Sequence, residues 1–527
     1  MTTEICQGKQ VKEKLLQGVK KLTQAVKVTL GPKGLNVIIE QGGLPLITND
    51  GYTIAKSIQL QDGFEALGAK TVFEASAKTN ELAGDGTTTA CVLAEALIEE
   101  GLKNTTFGVN PIELGKGMKK ACDIVVNELE TMSRKIKNND DIKHIATISC
   151  QDEEIGQLIA KAFEMVGNDG IITLEESNSL YTTLDITDGI KFDKGYVSTY
   201  FCTNMESQVC ELENTYILVT SEKIDNINQI LSILEQIAQN GHKLLIVATD
   251  YSEEVIAALV MNKLRGSINV AAVKSFAFGA QKQEILEDFC ISVGANLISL
   301  EKNIELENAK IEDLGKAKKA IITRDSTTIL NGDCDKKAIE TRINAIKERK
   351  KQCDNDFETK VYSERLARLQ NCAGVIKVGG ATDVEISEKK LRIEDALSAT
   401  KSAIEEGIVI GGGSAFIKCA KVLEEQLSFM PNEEQIGAKI VLKAIEAPLR
   451  QIAKNACIDD GVVINEIKNN SQKDYGYDAL KNTYCNLEEK GIIDPKKVTR
   501  CALQNAVSVA TSLLTTECAI INKIEKN

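Results

Sequence analysis

The sequence predicts a multi-domain protein of mixed α and α/β architecture, on three observations. The chain has 527 residues, more than one hydrophobic core accommodates, so about two to four domains are expected. All six prolines lie at or before Pro111 or at or after Pro431. The two ends thus share a character that the middle lacks, and the middle reads as an insertion. That middle alternates buried-strand runs at 243–248 and 268–273 with helical stretches, the pattern of an α/β domain with a substantially parallel sheet.

Near the start, Val11, Leu15, Leu16, Val19 and Leu22 recur at helical spacing. Gly31 and Pro32 must end that helix, because proline cannot continue it and glycine permits positive φ. A short apolar strand follows at 35–39. Gly84-Asp85-Gly86 then opens a helix carrying Val92, Leu93, Ala96 and Leu97. In the middle, Asn226 and Ser252 are starts for two further helices. Residues 335–370 form a charged helical stretch with Ile339, Ile343 and Ile346. A strand at 375–378 and a helix at 394–406 come next. The run 408–410 leads into Gly411-Gly412-Gly413 and another helix.

Composition narrows the function. A net charge of −13 repels nucleic acid and anionic membranes. Aromatic residues make up 4% and Trp is absent, so stacking platforms for single strands are scarce. No apolar run spans a bilayer. Met1-Thr2-Thr3-Glu4 lacks a basic region followed by an apolar stretch, so the protein is expected to stay in the cytoplasm. Fifteen cysteines are scattered without a C-x-x-C, and there are only two histidines, His144 and His242. Free thiols in a reducing cytosol are expected rather than a zinc site.

The sharpest local signal is Gly84-Asp85-Gly86-Thr87-Thr88-Thr89. Two glycines let the backbone approach an anion. The following residues begin a helix whose free N–H groups and dipole favour negative charge. Three hydroxyls add donors. Asp85 would repel phosphate unless a metal lay between them, so it reads as a magnesium ligand. The same six residues also fit an Asp-Gly turn with a threonine-capped helix. No Walker A loop is present.

Four segments in order, VTLGPKG at 28–34, AGDGTTTA at 83–90, EEGIVIGGG at 405–413 and DPKKVTR at 494–500, resemble the group I chaperonin family, that of GroEL. Further matching stretches are EAPLRQ at 446–451, KFDKGY at 191–196, IEDLG at 311–315 and TTEC at 515–518. The resemblance implies a GroEL-like chaperonin fold with a helical equatorial domain (1–131 and 406–527), a hinge-like intermediate domain (132–187 and 374–405) and an inserted α/β apical domain (188–373). It also implies an ATP-hydrolysing, ring-forming homo-oligomer of seven subunits, usually as a double ring. A GroES-type co-chaperonin and unfolded client proteins would be its partners.

Carried over by position, Leu30, Gly31 and Pro32 would line the nucleotide site. Asp85 would hold Mg2+, with Gly86 in the turn and Thr87, Thr88 and Thr89 on the phosphates. Thr29 and Asn49 would offer backbone oxygens to K+. Asp50 would help position the attacking water, and Asp395 would activate it. Gly412 would approach the nucleotide, with Asp478, Ala479 and Leu480 at the adenine and Asp494 at the ribose. Client and co-chaperonin would meet Tyr196, Tyr200, Phe201, Leu231, Leu234, Ile256, Val260 and Met261. On pattern alone, the helices at 227–238 and 253–264 are apolar over more than one face. Either both are deeply buried, or one face meets the core and another a partner.

The chain departs from the family at several points. Asp478 replaces the usual Asn and Leu480 a smaller residue. Asn371-Cys372 lacks a glycine pair, and 276–279 lacks a proline. The usual basic pair after that segment is replaced by Gln281 and Lys282, and the glycine-methionine tail is missing. Lys194 and Asp383 keep the signs of an inter-subunit ion pair. The alternative to a folding machine is therefore a ring-forming binding or scaffold paralogue with weak or lost turnover.

Overall fold

A computed structural model describes the chain except for Met1, 41–44, 168–169, 178, 206, 277–281, 303, 352–361, 363–364, 367–368, 370–371 and 524–527. The family departures at 277–281 and Asn371, the carboxy-terminal tail and much of the charged stretch after 351 lie outside the described residues. The chain divides into two compact units. The first comprises Met1–Glu164, Leu174–Thr183 and Lys377–Asn527, and the second Met165–Thr173 and Leu184–Ile376.

The first unit is mainly helical and contains both chain ends. Thr2–Gln7 pairs antiparallel with Cys518–Lys523. In the helix Gly8–Val26, Val11, Leu15, Val19, Leu22 and Val26 form one buried stripe, as their spacing requires. This helix packs on Gly63–Ala83, Pro111–Met132 packs on Asn432–Ala444, and Lys496–Leu514 crosses Thr87–Thr106. The first contact is close enough that a Cβ on Gly18 would lie 1.8 Å from the Glu65 carbonyl oxygen.

Two local expectations are corrected. The strand expected at 35–39 spans only Val37–Ile39, because the Leu35 N–H donates to the Val28 carbonyl at 2.9 Å and closes the preceding turn instead. The helix expected at 394–406 runs the full length of Asp383–Glu406, capped by the Thr382 hydroxyl.

In the second unit, six strands lie in the order Asn269–Lys274, Lys243–Ala248, Cys210–Val219, Gly315–Ile322, Thr327–Gly332, Thr183–Phe192. The first three are mutually parallel and the rest antiparallel. The sheet is therefore mixed, not substantially parallel. Residues 323–326 leave room only for a tight turn, which forces its flanking strands antiparallel. Ser252 caps Glu253–Leu264, and Asn226 caps the short turn before Leu231–Gln239. Thirteen of the cysteines, all but Cys353 and Cys372, are free thiols, and among the described residues no helix is long and apolar enough to cross a membrane.

Candidate functional site

Three glycine turns of the first unit converge. In the first, Gly84 and Gly86 adopt φ of 69° and 79°, conformations that glycine reaches without penalty. Space demands glycine too, since a Cβ on Gly84 would lie 2.3 Å from Ser398 Cβ. Gly86 leads into Thr87–Thr106, whose amino terminus has no side-chain cap. The N–H groups of Thr87, Thr88 and Thr89 therefore open toward an anion.

The second turn joins Lys27–Thr29 to Leu30, Gly31 and Pro32. Asn455 Nδ2 donates to the Lys27 and Leu30 carbonyls at 2.9 Å each and holds the turn open, with Gly31 at φ 86°. Thr29 Oγ1 lies 3.4 Å from Thr88 Oγ1. A Cβ on Gly51 would lie 2.2 Å from Thr88 Oγ1, so the segment Asn49-Asp50-Gly51 meets the same place.

The third turn follows the strand Ile408–Ile410, which pairs with Ile493–Pro495 so that Val409 faces Asp494. Gly412 and Gly413 then take φ of 62° and 76°. The Tyr477 carbonyl comes within 3.9 Å of an ideal Cβ on Gly412. Tyr477 belongs to the hairpin Tyr475–Asp478 with Thr483–Asn486. At its tip Asp478 Oδ1 accepts from the Leu480 and Lys481 N–H groups at 3.0 and 3.1 Å. Ala479 and Tyr477 join Ile452 and Leu449 in an apolar cluster on which Leu30 packs. Leu480 is exposed. The second and third turns thus share one apolar floor, while the first rests on Val498 and Ser398.

Four carboxylates line this region. Asp50 caps Gly51–Ser57, accepting from the Tyr52 and Thr53 N–H groups at 3.0 and 2.9 Å. Asp85 accepts from the Gly86 N–H and from Ser149 Oγ. Asp395 comes from the long helix. On that helix Ser398 abuts Gly84, and Ser402 Oγ donates to the Ala83 carbonyl at 3.0 Å. Residues 395, 398 and 402 share one helical face, so Asp395 is aimed at the same turn. Asp494 is hydrogen-bonded by the Gly412 backbone.

Their proton affinities report this convergence. Burial holds Asp395 well above the usual carboxylate range, and Asp50, Asp85 and Glu394 raise it further. Asp85 is raised by burial and by Asp50, against the lowering effect of its two hydrogen bonds. Burial and then Asp85 push Asp494 to about 7. Such a set of acids is relieved by a cation. Among the described residues no three His, Cys, Asp or Glu side chains stand close enough to hold a metal by themselves. A metal here would take most of its ligands from phosphate and water, which is how Mg2+ binds. The donors therefore fit a magnesium–nucleotide.

Sequence reasoning missed Ser149 and Asn455. Neither lies in a recognisable motif, and both act across long sequence separations, so no local signal marked them.

In the second unit the expected client residues separate into two groups. Phe201 (0% exposed), Leu234 (3%) and Tyr196 (8%) are core residues. This corrects the expectation that all eight sit on an open rim. On Leu231–Gln239, Ile233, Leu234 and Ile237 make up the inward stripe, which leaves Leu231 outside at 42% exposed. On Glu253–Leu264 the inward stripe is Val255 and Leu259. Ile256 and Val260 are half-buried shoulders, and Met261 (48%) and Leu264 are exposed. Tyr200 is exposed as well.

Comparison with known proteins agrees with this architecture. Residues 22–524 match the family model described as the TCP-1/cpn60 chaperonin family. Among solved structures, the chain is similar to the chaperonin gp146 from bacteriophage EL 2 (Pseudomonas aeruginosa), crystallised in the presence of ATP-BeFx. The TM-score is 0.69 at 21% identity, over 99% of each chain. At that identity the likeness speaks for the fold alone. The family match spans nearly the whole sequence and contains every one of the converging turns, and on that ground this chain belongs to the TCP-1/cpn60 chaperonin family.

Proposed function

We propose that this chaperonin is an ATP-hydrolysing folding machine whose nucleotide site is the meeting point of the three glycine turns. The observation that carries this reading is the convergence of Asp50, Asp85, Asp395 and Asp494 on one helix amino terminus. Phosphoryl transfer needs positioning and charge neutralisation more than covalent help.

Asp85 holds Mg2+, which when bound neutralises phosphate charge. The N–H groups of Thr87, Thr88 and Thr89 receive the phosphates, and the backbone of Thr29 and Asn49 offers oxygens to K+. Asp395, whose raised proton affinity suits a general base, takes the proton of the attacking water, and Asp50 orients it. Leu30, Gly31, Pro32, Gly412, Asp478, Ala479 and Leu480 bound the base end, and Asp494 takes the ribose. The phage chaperonin crystallised with ATP-BeFx supports a nucleotide in this fold. Phosphate release from ATP with and without Mg2+ is the test. Release that depends on Mg2+ is expected, whereas none at all would favour the scaffold reading.

The working assembly on this reading is a cytoplasmic seven-membered ring, stacked in pairs and closed by a GroES-type co-chaperonin. The equatorial, intermediate and apical divisions are those read from the sequence. Clients bind the accessible apolar residues Tyr200, Leu231, Ile256, Val260 and Met261, because hydrophobic attraction is non-directional and methionine adapts to many shapes. Met261→Ser is expected to weaken capture of an unfolded client severalfold at unchanged thermal stability. Leu234→Ser, by contrast, removes a core side chain and should lower stability by about 2 kcal/mol or more. Urea unfolding beside a client-aggregation assay separates the two effects, and equal capture by wild type and Met261→Ser would reject this face.

A further inference from the structure

We infer that Ser149 is a positioning residue for the metal-binding carboxylate, so that the helix Asn139–Cys150 tunes how strongly metal and nucleotide reinforce one another. This inference rests on the proposed nucleotide site. Ser149 Oγ donates to Asp85 Oδ2 at 3.1 Å, across a sequence separation of 64 residues. The other carboxylate oxygen accepts from the Gly86 N–H. Each oxygen of Asp85 thus accepts from one donor, which fixes the carboxylate and leaves each oxygen a further lone pair for a metal. A backbone donor cannot be withdrawn while Gly86 keeps its left-handed conformation. The serine donor can be withdrawn, because it arrives on a separate element.

That element is held in place independently of Asp85. Its amino terminus is capped by Asn138 Oδ1, and Arg134 pairs with Asp141 at 2.8 and 3.0 Å. Its carboxy end stops at Gln151, which takes φ 57° and brings Nε2 to 3.5 Å from the Gly31 carbonyl. Two side chains at one helix end, Ser149 and Gln151, therefore reach two of the three glycine turns. The same helix packs on Asp383–Glu406, the helix that carries Asp395. Setting the metal ligand and presenting Asp395 are consequently tasks of one helix pair. By linkage, whatever strengthens metal binding at Asp85 also favours the docked position of Ser149.

Groups that orient a metal ligand commonly contribute about 10- to 100-fold to metal affinity or activity. The test measures the affinity of a fluorescent ADP analogue with Mg2+ and with EDTA, and takes the ratio. In Ser149→Ala the ratio is expected to fall about 10-fold, with the EDTA value changed less than about twofold. Ser149→Thr, which keeps the hydroxyl, should restore the ratio to within about threefold. An unchanged ratio in Ser149→Ala would overturn the inference. So would a loss that appears equally in EDTA, or one that Ser149→Thr does not rescue, because each marks a merely structural role. If the unaltered protein binds the analogue in neither condition, the nucleotide site itself fails and the inference with it. Binding by the unaltered protein with a ratio near one would overturn only the metal link.

Discussion

Asp395→Ala is expected to cut ATP turnover by about a hundredfold or more, the usual scale for losing a positioned general base, while nucleotide affinity changes less than about threefold. The side chain sits among Asp50, Asp85 and Glu394, and burial together with those charges raises its proton affinity. A carboxylate placed this way accepts a proton more readily than an exposed aspartate does. It is also costly to keep ionised, which makes its loss harmless or favourable to binding and stability. Turnover should therefore fall while binding of a fluorescent nucleotide persists. Steady-state phosphate release and equilibrium nucleotide titration, run on the same preparation, give both numbers. Equal rates in the two proteins would remove Asp395 from the mechanism, and joint loss of binding and turnover would assign it to the binding surface instead.

The second large effect belongs to the other unit and to stability. The Arg365 side chain is 1% exposed. Its Nε and Nη2 reach the two oxygens of Asp288 at 2.6 and 3.1 Å, and Nη1 reaches Glu284. Arg342 Nε also meets Asp288, at 2.6 Å. Removing one partner of a buried pair leaves an uncompensated charge and commonly costs about 3–5 kcal/mol. Because Arg342 remains beside Asp288, Arg365→Ala should fall near the lower end, about 3 kcal/mol. Arg365→Met restores much of the lost volume but not the charge, so it should recover only the packing share. Urea unfolding read from the second unit checks this: a lower midpoint at unchanged slope is expected. A loss below about 1 kcal/mol would show that Arg342 alone satisfies Asp288.

How much of this could be read in advance depended on how far apart the interacting residues lie in sequence. The Gly84–Thr89 turn was legible because its chemistry is local: glycine conformation, helix capping and hydroxyl donors are complete within six residues. The helix stripe from Val11 to Leu22 was legible for the same reason. Asp395, read by itself, is an ordinary helix carboxylate, and only the resemblance marked it. The apolar helices at 227–238 and 253–264 left burial and partner binding both open. Which face turns inward depends on the sheet beneath, and that placed Leu234 inside and Met261 outside. The middle domain was expected to be α/β with a substantially parallel sheet, but only three of its strands run parallel and the tight turn at 323–326 makes the rest antiparallel.

By itself, then, the sequence determined where the backbone must bend, which helix ends are free to meet an anion, and the family to which these segments belong. Only the tertiary structure decided that Gly31, Asp50, Asp85, Asp395, Gly412 and Asp494 share one region, and that Ser149 and Asn455 serve it. The physical reason is range. Backbone preference and capping act over a few residues, whereas the raised proton affinity of Asp395 comes from burial and, besides its neighbour Glu394, from Asp50 and Asp85, which packing alone brings to it from far along the chain.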